Sequence, residues 1–204
     1  MLDRIVERLR RIGSPGHAAF FGRDAHNAPD TEGVDPAFTI VHAWRDHFAP
    51  VVRAYGFKGS GRTFRLIGKR FVLVIQLGAG KYGGKFCVSL CVHPLCVSDA
   101  YGGALYPKTI KDYQCGFRTC LSSGRRDIWW RYGATARSKH KAARKAADLF
   151  RARGMAQFEE LMHVAMTATP EMVKYGLYVD FIAFALFREY QGDLIQAQAF
   201  AMEA

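Results

Sequence analysis

The sequence predicts an α+β fold: an antiparallel sheet of about four strands packed with helices, followed by a C-terminal helical hairpin. Residues 56–94, GFKGSGRTFRLIGKRFVLVIQLGAGKYGGKFCVSLCVHP, alternate apolar runs with glycine-containing turns, the pattern of a β-meander. The connections between those runs are too short for crossovers, which makes neighbouring strands antiparallel. Apolar residues at helical spacing stand before and after the meander, and half of the 204 residues are hydrophobic, enough for one sizeable core. The chain divides into an N-terminal amphipathic helix with a connector (1–35), the α+β domain (36–168) and the C-terminal hairpin (169–204).

Leu2, Ile5, Val6, Leu9 and Ile12 repeat at helical spacing until Gly13-Ser14-Pro15-Gly16 ends the pattern. Periodicity is lost over residues 18–33. Asp35 and Pro36 supply an N-cap and an N1 proline for a second helix with Phe38, Val41, Trp44, Phe48 and Val52 on one face. Pro50 is expected to kink that helix or end it early, because it lacks the N–H its turn requires.

Residues 63–67 and 71–77 flank a Gly68-Lys69 hairpin turn. Within 86–92, Phe86, Val88, Leu90 and Val92 face the core, and Cys87, Ser89, Cys91 and His93 form a half-polar opposite face. A fourth strand is expected over 113–121. Residues 138–153 form a helix with Ala142, Ala143, Ala146, Ala147, Leu149 and Phe150 inward, and Gly154 is read as its C-terminal stop. Residues 157–166 continue helically. Thr169-Pro170-Glu171 caps a helix reaching about residue 190, and Gly192-Asp193 turns the chain into a last helix over 194–202. That final pair is similar to the second half of a tetratricopeptide-type helix pair, with Ala197 where the helices touch.

The formal net charge of +11 is unevenly distributed. Residues 58–98 carry seven cations and no acid, and residues 125–153 carry ten cations against two acids, whereas residues 155–204 carry two against seven. Such asymmetry points to an anionic partner or to an intramolecular basic-to-acidic contact. Arginines interrupt residues 1–12 too often for a secretory segment, so an unexported, cytoplasmic protein is expected. The most apolar segment, 176–187, contains Asp180 and is shorter than the roughly 20 residues that span a bilayer. Five cysteines without a secreted-domain framework read as reduced thiols.

Several motifs invite chemistry and fail on spacing. The loop 78–85, GAGKYGGK, lacks the P-loop register, since Ala79 stands where glycine is needed, Phe86 where serine or threonine is needed, and a strand follows. Cys87 and Cys91 on an extended strand lie about 13 Å apart at roughly 3.3 Å per residue, too far for one zinc ion. His42 and His47 do not share a helical face. No acid stands between Arg53 and Asp99 to serve general acid-base chemistry on the sheet. No catalytic residue, metal or cofactor is assigned.

The strongest contact motif is Arg125-Arg126-Asp127-Ile128-Trp129-Trp130-Arg131-Tyr132, followed by the cationic helix face of Lys141, Arg144 and Lys145. Aromatics interleaved with arginines suit base stacking and phosphate pairing, and equally suit a protein interface. A competing reading has one tryptophan capping the core and the other lying over the basic helix. Arg62, Lys69, Arg70, Lys81, Lys85 and Arg118 complete the expected binding surface.

The layout of Gly56-Phe57-Lys58, Gly61-Arg62-Thr63-Phe64, a β-run ending at Gln76, a Lys81-Tyr82-Gly83 turn and a strand from Phe86 resembles a bacterial family, domain of unknown function 4304. The resemblance covers roughly residues 38–161. It implies a fold more than an activity, which the family does not settle. The family often carries a Cys-His pair where Cys115 is followed here by Gly116, which removes any role resting on that histidine, while Arg118 and Leu121 continue its pattern. Its tryptophan-containing stretch favours a core-capping role for one of the pair.

The preferred functional expectation is a non-catalytic module presenting the basic, aromatic surface to an anionic macromolecule, either nucleic acid or an acidic protein. A toxin-neutralising, immunity-type interaction domain is the alternative, and an enzyme assembled from dispersed residues is the third. The acidic C-terminal helices are expected either to cover the basic surface or to pair two copies of the chain.

Overall fold

The computed structural model describes residues 37–80, 82–99, 103–124, 127–167, 178–179 and 181–203. The expected N-terminal helix and connector, the Asp35-Pro36 cap and the Thr169-Pro170 cap lie outside the described residues.

Helix α1 spans Ile40–Ala54 and buries Ala43, Trp44, Phe48, Val51 and Val52. It starts at the N-cap Thr39, whose N–H donates to His42 Nδ1 at 3.0 Å. Pro50 lies inside the helix and does not end it. Proline removes the bond to the carbonyl four residues back, here that of Asp46. Both residues are on the exposed face and the last turn is near, so water can satisfy that carbonyl.

Strands β1 (Lys58–Ser60), β2 (Thr63–Ile67), β3 (Phe71–Ala79) and β4 (Lys85–Pro94) form an antiparallel meander. The other edge of β4 is shared by two short strands, β5 (Phe117–Cys120) and β6 (Trp130–Arg131), and β5 pairs in turn with β7 (Tyr178–Val179). The fourth strand is therefore shorter than expected. Tyr113 and Gln114 belong to a 3-10 turn, Asp112–Gln114, and extended pairing begins only at Phe117. β1, β6 and β7 were not anticipated: two or three residues are too few for a period-two signal. β7 also interrupts the helix expected through residues 178–179.

Helix α2 runs unbroken over Ala136–Thr167. Thr135 caps it, with Ser138 N–H donating to Thr135 Oγ1 at 3.2 Å. Gly154 does not stop it. The glycine is buried within the helix, where a Cβ would stand 2.3 Å from the Phe150 ring, so it is retained for packing. Helices α3 (Phe181–Tyr190) and α4 (Leu194–Glu203) form the expected hairpin, turning at Gly192. Gly192 N–H donates to Glu189 O and Asp193 N–H to Arg188 O, the paired bonds of a Schellman motif, and Asp193 Oδ1 accepts from Gln196 N–H at the start of α4. Phe187 anchors the hairpin against Phe71, and Arg188 donates to the carbonyl of Met166.

The main core lies between the sheet and helices α1 and α2. Register places Phe86, Val88, Leu90 and Val92 on this side, with Phe48, Phe57, Phe150 and Phe158 opposite. Phe150 is the hub, its ring meeting those of Phe48, Tyr55 and Phe57 at centroid distances of 5.4, 5.7 and 6.2 Å. The second face of the sheet is not uniformly half-polar. At one end the connection between β4 and β5 folds over it, and Ile110 and Cys115 close a smaller core with Val72, Val74 and Cys91. Arg65 pins this cover by donating to Ile110 O at 2.6 Å and Thr109 O at 3.0 Å. Beneath it, His93 is fully buried, accepts from Gly116 N–H at Nδ1 (3.0 Å) and places Nε2 3.3 Å from Val97 O. No described helix is long and apolar enough to cross a membrane.

Candidate functional site: a basic corner of the sheet

The β3–β4 turn closes with Gly83 N–H donating to Gly80 O and Gly80 N–H to Lys85 O, both at 2.9 Å. It opens a strand, as the failed P-loop register predicts. Lys85 stands directly opposite Arg131, and Phe86 opposite Trp130. Side chains alternate along a strand, so Phe86 and Trp130 turn into the core while Lys85 and Arg131 turn outward together. Trp130 is 7% exposed and stacks on Phe86 at 5.4 Å and 20°, which makes it the core-capping tryptophan. Trp129 is 45% exposed, with Lys85 Nζ 5.1 Å from its ring centroid. Two cations and one indole thus converge on the outer side of the sheet, and among the described residues no carboxylate forms an ion pair with Lys85 or Arg131.

The chain reaches this corner through a segment tied to α2. Buried Gln157 accepts from Ser122 N–H at 3.1 Å and donates to Ser122 Oγ at 3.0 Å, while Arg153 donates to Ser123 O at 3.2 Å. A glutamine in a helix carries no sequence signal for this role. The spacing of Gln157 from Phe150, Phe158 and Leu161 on the buried side is the one hint available.

The remaining expected residues do not gather at one place. Arg62, exposed in the β1–β2 turn, lies toward the same end of the sheet, since its carbonyl accepts from Leu77 N–H. Lys69 and Arg70 lie at the opposite end, about 27 Å away along the nine residues of β3 at roughly 3.4 Å each. They line a separate cleft of about 680 Å³ with Leu95, Phe187 and Tyr190. Arg118 is half-buried opposite Cys91. Lys141, Arg144 and Lys145 are exposed on α2, and with Arg137 they form one stripe. Lys81, Arg125 and Arg126 lie outside the described residues. Lys139, in contrast, is buried and donates to Phe38 O at 2.6 Å, so it belongs to the packing of α2 against the start of α1.

Sequence reasoning also missed a histidine pair. His47 Nε2 lies 2.8 Å from His140 Nδ1, joining α1 to α2. One ring must donate to the lone pair of the other, so the contact is lost when both are protonated. Burial, then the neighbouring His140 and Arg144, hold the His47 pKa below its ordinary 6.5, with Asp46 opposing them. The folded state therefore binds fewer protons than the unfolded chain below about pH 6.5, and stability falls as pH drops from there through the folded value. Urea midpoints at pH 7.5 and 5.5 should show a larger acid loss in the intact protein than in His47→Gln; equal losses would count against the pair.

The fold defines an α+β domain, with no cluster of three or more metal-ligating side chains among its described residues. The chain belongs to the family described as Domain of unknown function (DUF4304), whose sequence model matches residues 48–160, more than half of its length. No curated protein and no solved structure matches it.

Proposed function

We propose that the protein is a non-catalytic binding module whose corner of Lys85, Trp129 and Arg131 takes the backbone and a base of a single-stranded nucleic acid. The supporting observation is the direct cross-strand pairing of Lys85 with Arg131. Like charges directly opposite one another destabilise a sheet, and an anion between them removes that cost. The exposed indole beside them offers the apolar plane on which a base stacks. The cationic stripe of α2 extends the positive field that steers such a partner.

Fluorescence anisotropy with a labelled single-stranded RNA at two salt concentrations tests this reading. Intact protein should bind with strong salt dependence. Lys85→Ala combined with Arg131→Ala should weaken binding and flatten the slope of log K against log salt by about 1.4, at about 0.7 per phosphate contact on single strands. Trp129→Ala should weaken binding with little change in slope. Absence of salt-dependent binding would overturn the reading and direct attention to an acidic protein partner.

A further inference from the structure

The cleft at the far end of β3 is built from three segments. Lys69 and Arg70 come from the β2–β3 turn, Leu95 and Cys96 from the chain leaving β4, and Phe187, Tyr190 and Gln191 from the C-terminal end of α3. Hydrogen bonds and packing hold the three together. Leu95 N–H donates to Arg70 O at 2.8 Å, and Gly68 N–H donates to Phe71 O at 2.9 Å. Phe187 is 4% exposed and its ring meets that of Phe71 at 5.7 Å, which anchors the end of α3 on the sheet. Arg188, its buried neighbour, donates to the Met166 carbonyl and to Gln191 Oε1 (3.2 Å). The cleft is therefore preformed, and a ligand entering it has little chain to order.

Its walls differ in chemistry. Lys69 and Arg70 are exposed, and among the described residues no carboxylate lines the cleft or forms an ion pair with either of them. The oxygen of the Gln191 amide is taken by Arg188, so its N–H groups are what it offers a ligand. Leu95, Phe187 and the Tyr190 ring, which is 72% exposed, supply the apolar part. The volume of about 680 Å³ lies within the roughly 300–1,000 Å³ of small-molecule sites. A bare ion would leave most of that space and the apolar wall unused, and an uncharged ligand would leave two adjacent cations unmatched.

We propose that this cleft binds a small phosphate monoester whose ester group carries a flat ring. Two cations match the charge of about −1.5 to −2 that a monoester carries near pH 7, whereas a carboxylate supplies only one charge. The guanidinium fork of Arg70 and the ammonium of Lys69 both take phosphate oxygens, and Gln191 adds a neutral donor. The ring fills the apolar part beside Leu95, Phe187 and Tyr190. The site stands at the opposite end of β3 from the corner of Lys85 and Arg131, and it does not depend on the nucleic-acid reading of that corner.

Cys96 is a built-in reporter, because it lines the cleft and is the exposed one of the five cysteines. Alkylation of the intact protein by iodoacetamide, followed peptide by peptide in a mass spectrometer, should slow several-fold at Cys96 when millimolar AMP or phenyl phosphate is present. Adenosine and inorganic phosphate at the same concentration should leave the rate unchanged. Lys69→Ala combined with Arg70→Ala should abolish the protection, and Tyr190→Ala should weaken it; all three residues are exposed, so folding is not at stake. Lys85→Ala combined with Arg131→Ala should leave the protection intact, which separates this cleft from the corner. Failure of both monoesters to protect Cys96 would overturn the proposal. Equal protection by inorganic phosphate or by adenosine, or protection that survives loss of Lys69 and Arg70, would overturn it too.

Discussion

Replacing His93 with leucine is expected to lower stability by about 2–4 kcal/mol, because a buried donor and a buried acceptor lose their partner together. Gly116 N–H, now 3.0 Å from Nδ1, is buried, and Val97 O loses the group 3.3 Å away. Since Nδ1 accepts, the ring is held as the tautomer protonated at Nε2, the nitrogen facing Val97 O. His93→Asn restores an acceptor near the Nδ1 position and should recover part of the loss. Urea unfolding followed by tryptophan fluorescence measures both. A leucine variant within about 0.5 kcal/mol of the intact protein would show that His93 merely fills space.

The second large effect concerns the aromatic hub. Phe150→Ala should cost about 3–5 kcal/mol, the range for emptying a buried aromatic site. Gly154→Ala sets two terms against each other. Helix propensity favours alanine by about 1 kcal/mol, whereas forcing a methyl group against the fully buried Phe150 ring costs about 1–3 kcal/mol. The ring is held by Phe48, Tyr55 and Phe57, so it cannot simply rotate aside, and net destabilisation is expected. Combining Gly154→Ala with Phe150→Leu should cost less than the sum of the two single changes, because the smaller side chain relieves the overlap. Strict additivity in thermal or urea unfolding would refute the proposed clash.

Gly154 also illustrates where local rules mislead. A glycine after an amphipathic run reads as a helix stop, since a left-handed residue is the commonest C-cap. Here an aromatic ring one turn back decides its identity, and that ring's position depends on α1 and the segment that follows it. Pro50 reads as a helix end for an equally sound local reason, yet its missing bond falls on a solvent-facing carbonyl. His42 and His47 look unrelated within α1, and only the packing of α2 brings His140 to His47.

The long elements were legible. Alternation along β4 named its core face residue by residue, and the short connections enforced the antiparallel meander. The P-loop was excluded by register alone, and the C-terminal turn was marked by the chemistry of Gly192-Asp193. The basic corner was legible only in part. Residues 129–131 carry an obvious aromatic-cationic motif, but its sequence does not say which tryptophan is buried. Two residues of strand pairing settle that question, turning Trp130 onto Phe86 and leaving Trp129 beside Lys85.

Fold class, strand direction and the location of charge along the chain follow from periodicity, turn residues and composition, all of which are local quantities readable in a window of a few residues. The pairing of Lys85 with Arg131, the covering of His93 and the meeting of His47 with His140 join residues 46, 23 and 93 positions apart in the sequence. Only tertiary structure decides such contacts, because cross-strand register and the side of the sheet on which a loop folds are set by the whole core rather than by any segment of it.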